Sequence, residues 1–281
     1  MKTKDSQLEK YADDLVRVYR SGKEKQKDLQ AARKQLLKYA DDLNKTVLDL
    51  KAVNHELQEA YIDTVNRLVI AAEYKDEDTG SHIVRISRYS ALLAEKLGLP
   101  AEEVQNILYA APMHDVGKVG TPDSIMLKPG KLTDEEFDLM KMHTTIGAKI
   151  LANSKSAILQ VAEQIALSHH EQWNGKGYPQ GLSGDDIPLA ARIVGLVDTF
   201  DALTSKRPYK DPYPVEIALE IIRKERGRHF DPDVTDVFLE NIDEILKIKS
   251  EAGSAEDVAK SGFVWSERDQ AERKYSDRIT G

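Results

Sequence analysis

The chain has 281 residues, a net charge of −8 and no cysteine. Its length is enough for one large hydrophobic core or two modest ones. The lack of cysteine excludes disulfide scaffolds, thiolate metal sites and cysteine nucleophiles. No stretch approaches the roughly 20 apolar residues that span a bilayer, and the N-terminal stretch MKTKDSQLEK has no apolar signal region. We therefore expect a cytoplasmic protein that neither inserts into a membrane nor, given its acidity, binds nucleic-acid polymers.

Residues 8 to about 65 carry a seven-residue hydrophobic repeat. The position three residues after each leucine of the repeat is mostly apolar too, and Gly22 is the one exception among the leucines. These leucines are Leu8, Leu15, Leu29, Leu36, Leu43, Leu50 and Leu57. So narrow an apolar stripe is typical of a coiled coil. We predict that residues 1–65 form one long helix that pairs into a parallel homodimer and transmits a signal. The alternative is a single solvated helix.

Residues 66–247 show the wider apolar faces of globular helices, and no long stretch alternates with period two. We predict an all-α helical bundle there. Gly98 and Pro100 should end one helix, Thr133 and Glu136 form a capping box that should begin another, and residues 101–118 read as a single helix. Residues 248–281 are polar and poorly patterned, and we predict a partly disordered or loosely docked tail.

Five of the seven histidines are potential metal ligands, because we place them at the ends of four separate predicted helices. These five are His82, His114, His143, His169 and His170. Asp115 and Asp198 would complete a nitrogen and oxygen ligand set, which is too large for one tetrahedral ion but suits two octahedral ions bridged by a carboxylate. Any single buried histidine could instead be a hydrogen-bonded core residue. His55 is interpreted as a surface residue and His229 as a structural one.

Two longer motifs carry a resemblance to a known family. HDVGK, at residues 114–118, resembles the signature of the HD-domain metal-dependent phosphohydrolases. HHEQWNGKGYP followed by LAARIVGLVDTFDALTSKRPYK is similar to the HD-GYP branch of that superfamily. The resemblance covers about residues 66–245. It implies an all-α fold with two or three metals that hydrolyses the bacterial second messenger cyclic di-GMP to pGpG, with GMP as the product if a second cut follows.

The resemblance also implies roles for individual residues. The metal ligands would be His82, His114, Asp115, His143, His169, His170 and Asp198. Asp115 would bridge the metals and Lys118 would contact the scissile phosphate, so these two are the candidate catalytic residues. Lys118, Arg207, Lys210 and Tyr178 are the candidate substrate-binding residues. Three-metal relatives have a glutamate where this chain has the shorter Asp78, so we expect two divalent ions, iron or manganese, rather than three.

The chemistry supports an enzyme on physical grounds as well. A metal pair lowers the pKa of a bridging water, so that hydroxide is available to attack a phosphodiester, and it neutralises charge on the phosphoryl oxygens. Two alternatives remain open. The chain could be a weakly catalytic adaptor that binds cyclic di-GMP, or a protein partner at the GYP loop. It could also be a phosphodiesterase for another cyclic dinucleotide, such as cyclic GMP-AMP.

Overall fold

The computed structural model describes residues 2–73, 80–206 and 211–251. Within these ranges the structure has α-helices and short 3₁₀ segments but no β-strand, which confirms the predicted all-α fold. The helices are α1 (Lys2–Glu73), α2 (Gly80–Lys96), α3 (Ala101–Ala110), α4 (Asp123–Met126), α5 (Asp134–Leu151), α6 (Ala157–Ser168), α7 (Leu189–Thr204), α8 (Val215–Glu225), α9 (Pro232–Glu240) and α10 (Ile242–Glu251).

The chain divides into two compact units, one ending at Asp63 and the other beginning at Thr64. The first unit is the N-terminal part of α1, and its heptad leucines from Leu15 to Leu57 are 66–71% exposed. The sequence pattern suggested a change of helix near residue 66, but α1 continues to Glu73. The reason is that no glycine or proline between Leu57 and Glu73 stops the helix.

The second unit is organised around α7, a helix in which every residue is buried or half-buried. Its residues Ile193, Leu196 and Phe200 are fully buried, and the Phe200 ring meets the rings of Tyr89 on α2 and Phe238 on α9 edge to face. The sequence LAARIVGLVDTFDALT also allowed a short strand around its VGLV segment, but the helical alternative is the one observed. The two carboxylates of this helix, Asp198 and Asp201, both face the site described below.

Several helix boundaries follow the local sequence signals. Gly98 has a φ of 82°, and the amide of Leu99 donates to Ala94 in the pattern of a Schellman motif, so the predicted stop is confirmed. Thr133 and Glu136 form the predicted capping box at the start of α5. Asp231 caps α9 through the amides of Asp233 and Val234, as its position before Pro232 suggested.

The predicted single helix over residues 101–118 is wrong. Helix α3 ends at Ala110, and the chain continues as two 3₁₀ segments, Ala111–Met113 and Val116–Gly120. Pro112 explains the change, because it has no amide hydrogen with which to continue the α-helical hydrogen bonds. The tighter winding places His114 and Asp115 at the junction of the two segments.

Gly117 lets the second 3₁₀ segment approach α5 at backbone distance. A Cβ atom at this position would lie 1.9 Å from the carbonyl oxygen of His143 and 2.4 Å from the amide nitrogen of Gly147. Only a residue without a side chain fits, because both neighbouring atoms belong to the backbone of a helix. This contact holds the segment that carries Asp115 and Lys118 against the helix that carries His143.

We expect Gly117→Ala to lower the free energy of unfolding by about 3 kcal/mol or more, at the upper end of the cost of overpacking. Gly22→Ala is the matched control. Gly22 lies in an exposed part of α1 with open space around it, so alanine should stabilise the helix by about 0.5–1 kcal/mol. Urea unfolding followed by circular dichroism measures both. A Gly117→Ala protein as stable as the original would contradict the close approach.

In the part of the chain that the structure describes, no helix carries an apolar run long enough to cross a membrane.

Candidate metal centre

The structure gathers all seven predicted ligands into two adjoining clusters. One cluster is formed by His82, His114 and Asp198; the other is formed by Asp115, His143, His169 and His170. In each cluster the potential ligand atoms lie within 4.8 Å of one another. The residues come from α2, the turn between the two 3₁₀ segments, α5, the end of α6, and α7. Two groups of donors at this spacing have the composition expected of a two-metal site.

Three of the histidines are oriented by hydrogen bonds to the backbone of their own helical turn. The Nδ1 atom lies 3.0 Å from the Ala111 carbonyl oxygen in His114, 2.7 Å from that of Met140 in His143, and 3.0 Å from that of Ile165 in His169. A carbonyl can only accept, so Nδ1 carries the proton and Nε2 presents its lone pair to the centre.

Asp115 lies where the two clusters meet. Its Oδ1 is 3.3 Å from Nε2 of His143 and 3.6 Å from Nε2 of His169, whereas its Oδ2 is 3.3 Å from Nε2 of His114 and 2.7 Å from Nζ of Lys118. Burial raises the pKa of Asp115, but Lys118 and His114 lower it more, so the pKa lies well below its usual value. The carboxylate is therefore ionised, with one oxygen directed to each cluster.

His82 is held by two residues that sequence reasoning missed. Its Nδ1 lies 2.8 Å from Oδ2 of Asp201, and the Arg85 guanidinium donates to both Asp201 oxygens at 2.6 and 2.7 Å. Burial raises the pKa of Asp201, yet the hydrogen bonds from Arg85 and His82 lower it below its usual range. A carboxylate behind a ligating histidine fixes the ring orientation and raises the basicity of the ligand. Lys249 of α10 lies 3.8 Å from the same carboxylate.

Burial also favours the neutral imidazoles that metals bind. It lowers the pKa of His143 to about 4, and burial together with His169 lowers the pKa of His170 well below its usual value. Neutral histidines lose no proton when a metal binds, so these two ligands are ready at neutral pH.

The donor set fits a pair of divalent ions. The Nε2 atoms of His143 and His169 and the Oδ1 atom of Asp115 are buried, and they have no hydrogen-bond partner among the described residues. Leaving such polar atoms unsatisfied in an interior costs free energy. Metal coordination would satisfy all of them, and imidazole with carboxylate suits zinc, iron and manganese.

The GYP loop is fixed beside the centre by Glu171, a third residue that the sequence analysis missed. This buried carboxylate accepts hydrogen bonds from the backbone amides of Gln180, Gly181 and Leu182, at 2.7, 3.1 and 3.1 Å. Tyr178 is thereby held with its ring 4.8 Å from that of His170. Glu171 directly follows the ligand pair, so the same turn positions two ligands and the loop.

We expect Glu171→Gln to loosen this loop, because an amide group faces backbone donors with a weaker acceptor and with donors of its own. Each hydrogen bond to a charged group contributes about 1.5–3 kcal/mol. Limited trypsin digestion should therefore cut faster after Lys176, which is exposed in the loop. Glu216→Gln, at an exposed position in the first turn of α8, should leave the cleavage rate unchanged. Equal rates in the two variants would refute the anchor.

The other residues discussed in the sequence analysis lie as follows relative to the two clusters. His143 does not lie at a helix end as predicted but in the middle of α5, because no proline interrupts this helix and it continues through Gly147 to Leu151. His229 lies outside both clusters and stacks on Phe230, and His55 lies on α1. Asp78, Arg207, Lys210 and residues 252–281 lie outside the described residues.

Comparison with known proteins identifies the class to which the fold and these clusters belong. The model of the HD domain family matches residues 65–234, so the chain belongs to the HD domain family. The resemblance seen in its motifs is thereby confirmed.

Curated relatives match about two thirds of the chain. The response regulator RpfG of Xanthomonas campestris, named a cyclic di-GMP phosphodiesterase, is 48% identical over 190 residues, which is 68% of this chain and 50% of RpfG. A protein of Thermotoga maritima named cyclic di-GMP phosphodiesterase is 45% identical over 69% of this chain and 52% of its own length. The 3′3′-cGAMP-specific phosphodiesterase 2 of Vibrio cholerae is 44% identical over 69% of this chain and 37% of its own length. This chain thus spans about half the length, or less, of these relatives.

A solved structure supports the fold. The cyclic GMP-AMP specific phosphodiesterase V-cGAP3 of V. cholerae superposes with a TM-score of 0.53 at 21% identity, covering 72% of this chain and 52% of that one. At this identity the likeness concerns the fold alone.

Proposed function

We propose that this protein is a metal-dependent phosphodiesterase that hydrolyses cyclic di-GMP to pGpG. The observation that carries the proposal is the pair of adjoining ligand clusters with Asp115 between them and Lys118 at 2.7 Å from its Oδ2. The names of the relatives from X. campestris and T. maritima support the substrate. Whether pGpG is cut further to GMP depends on how the site accepts the linear product.

Different residues of the chain would contribute different steps of phosphodiester hydrolysis. Two divalent ions bound there would lower the pKa of a coordinated water and neutralise charge on the phosphoryl oxygens. Asp115 offers one oxygen to each cluster and so sets the distance between them. Lys118, whose side chain is 15% exposed, lies with its ammonium 2.7 Å from Oδ2 of Asp115 and would donate to a phosphate bound there. Arg207 and Lys210 would hold the substrate phosphates, Arg207 through paired hydrogen bonds.

Iron and manganese are the metals we propose, because imidazole and carboxylate ligands accept both. With Asp78 in place of a longer glutamate, two ions rather than three are expected. The proposed organisation has a coiled coil over residues 1–65, a catalytic domain over 66–247 and a tail over 248–281, in a cytoplasmic protein. A protein partner at the GYP loop remains part of the proposal, since the loop is fixed in place and Lys176, Pro179 and Gln180 in it are exposed.

Hydrolysis of 3′3′-cGAMP is the second candidate function. The relative from V. cholerae that carries this specificity in its name is 44% identical to this chain, close to the 45–48% of the two cyclic di-GMP relatives. The two substrates differ in one base, so the metal centre alone does not discriminate between them.

The test is hydrolysis of each dinucleotide by anaerobically purified full-length protein loaded with iron or with manganese, with products separated by chromatography. The proposal expects pGpG or GMP from cyclic di-GMP at a kcat/KM above that for 3′3′-cGAMP. The reverse preference would favour the second candidate. Protein that holds both metals yet cleaves neither would be a binding adaptor, and the proposal would be wrong.

We also propose that α1 forms a parallel homodimer. With the heptad leucines at position a, the g positions are acidic at six of eight places. The acidic g residues are Asp14, Asp28, Asp42, Asp49, Glu56 and Asp63. The e positions carry no acid, and Arg33 is among them. In a parallel coiled coil g faces e of the partner, whereas an antiparallel one sets g against g. Like charges would therefore oppose the antiparallel pairing.

The absence of cysteine allows a direct test of this pairing. We expect Leu15→Cys to cross-link into a covalent dimer under mild oxidation, because identical a positions face each other in a parallel pair. Leu43→Lys should shift the protein towards monomer in sedimentation velocity, whereas Asn44→Lys, on the outer face, should not. An antiparallel pair sets a positions against d positions of the partner, so the Leu15→Cys protein would then form no covalent dimer.

A further inference from the structure

Two side chains of α5 form a wall with Tyr178 next to the metal centre. The Phe137 ring meets the Tyr178 ring edge to face at 6.2 Å, and Tyr178 in turn lies 4.8 Å from the His170 ring. The Lys141 ammonium is 4.8 Å from the centroid of Phe137 and 5.9 Å from that of Tyr178. The wall thus runs from a candidate metal ligand to the outer surface of α5.

Packing does not account for Phe137. It is 44% exposed and is not part of the hydrophobic core of the second unit. Lys141 makes a hydrogen bond to Asp138, whose side chain is 72% exposed, so the ammonium stays close to solvent. A cation near two rings could simply tie the loop to the helix, with a contribution of about 0.5–1 kcal/mol. That role needs neither an exposed ring nor a position beside the ligands.

Both sides of the wall are fixed before any ligand arrives. Phe137 and Lys141 are four residues apart on one helix face, and the capping box at Thr133 begins that helix. Tyr178 belongs to the loop that Glu171 anchors. Rings that are already ordered lose little conformational entropy when a flat ligand stacks on them.

The chemistry of this wall matches a purine. Any nucleobase can stack on an aromatic side chain, because every base has a π face. Guanine presents two acceptors, O6 and N7, along the edge that a lysine contacts, whereas adenine presents N7 beside an N6 donor. An ammonium beside the rings would therefore favour guanine. If a phosphate of the substrate lies at the metal centre, its base lies one nucleotide's length away. The wall from His170 to Phe137 covers a similar distance.

We propose that Phe137, Tyr178 and Lys141 form a nucleobase subsite, in which the Phe137 ring stacks on a purine, the edge-on Tyr178 ring borders it and Lys141 selects guanine. The inference rests on the proposed function for its location next to a reacting phosphate. It extends that function by assigning base specificity to α5, and so offers a reason why one cyclic dinucleotide would be preferred to another.

The experiment is calorimetric binding of GMP and AMP to the full chain loaded with manganese. Neither nucleotide contains a diester, so the measurement does not depend on turnover. The wild type should bind GMP about tenfold more tightly than AMP, within the range expected for a good base contact. Lys141→Met should bring the ratio below about two. Phe137→Ala should weaken both nucleotides about fivefold or more, as the loss of one stacking ring does.

Matched controls lie on the same helix. Lys149→Met removes an exposed lysine of the last turn, and Leu139→Ala removes a side chain that is 45% exposed; both should bind like the wild type. Equal affinity of the wild type for GMP and AMP, or an unchanged ratio in Lys141→Met, would overturn the subsite. Selective GMP binding in a protein that cleaves no cyclic dinucleotide would refute the proposed activity and retain the subsite.

Discussion

Asp115→Asn is expected to remove hydrolysis of cyclic di-GMP and to reduce bound metal from about two ions per chain to one or fewer. The amide is isosteric but neutral, and it cannot offer an anionic oxygen to both clusters. The metal pair supplies several kcal/mol of charge stabilisation, and each 1.36 kcal/mol is a factor of ten in rate. The loss should therefore be about a thousandfold or more in kcat. Metal analysis and the chromatographic assay together measure it.

Folding should survive this substitution, which separates loss of the site from loss of the protein. The amide keeps the shape of the carboxylate but loses the charge that Lys118 and His114 stabilise, so the protein should fold with reduced stability. Asp243→Asn, at an exposed position in the first turn of α10, is the control and should keep both metal and activity. An Asp115→Asn protein with two ions and wild-type turnover would show that this carboxylate bridges nothing.

Asp201→Asn is expected to lower metal affinity and activity about 10- to 100-fold, the usual effect of removing the carboxylate behind a ligating histidine. Asparagine would turn a donor towards Arg85 or His82, both of which now donate to the carboxylate. The metal held by His82, His114 and Asp198 should weaken first, so the stoichiometry should fall towards one ion per chain while the second cluster keeps its ion.

The control for Asp201→Asn is the same substitution in another arginine–aspartate pair, which lies away from the metal centre. Arg226 and Asp236 form the same paired contact at 2.6 Å, exposed and remote from the ligands. Asp236→Asn should leave metal titrations unchanged. If Asp201→Asn binds both metals with unchanged affinity, Asp201 is a structural partner of Arg85 and does not position His82.

The candidate ligands could be selected from the sequence because their signals are local. The adjacent pairs His114-Asp115 and His169-His170 sit in motifs that share their order with a known family. The seven residues lie on helices, or at their ends, and the sequence marks many of these helix boundaries with caps and glycines, such as Thr133 and Gly98. The helical fold followed from apolar periodicity in the same way.

The supporting residues could not be predicted, because their roles arise only from tertiary contacts. Asp201 stands three residues after Asp198, which by itself suggests no more than a second polar residue on that face; the contact with Arg85 joins residues far apart in the chain. Glu171 acts through backbone amides that the sequence does not mark. Pro112, by contrast, was a visible signal that the helix over residues 101–118 should break.

The most direct test of the two-cluster site is the anomalous difference map of a crystal of the manganese-loaded protein. The account predicts two peaks per chain, one among His82, His114 and Asp198 and the other among Asp115, His143, His169 and His170, with Asp115 contacting both. A single peak, or peaks away from these residues, would contradict the assignment of a two-metal centre to this site.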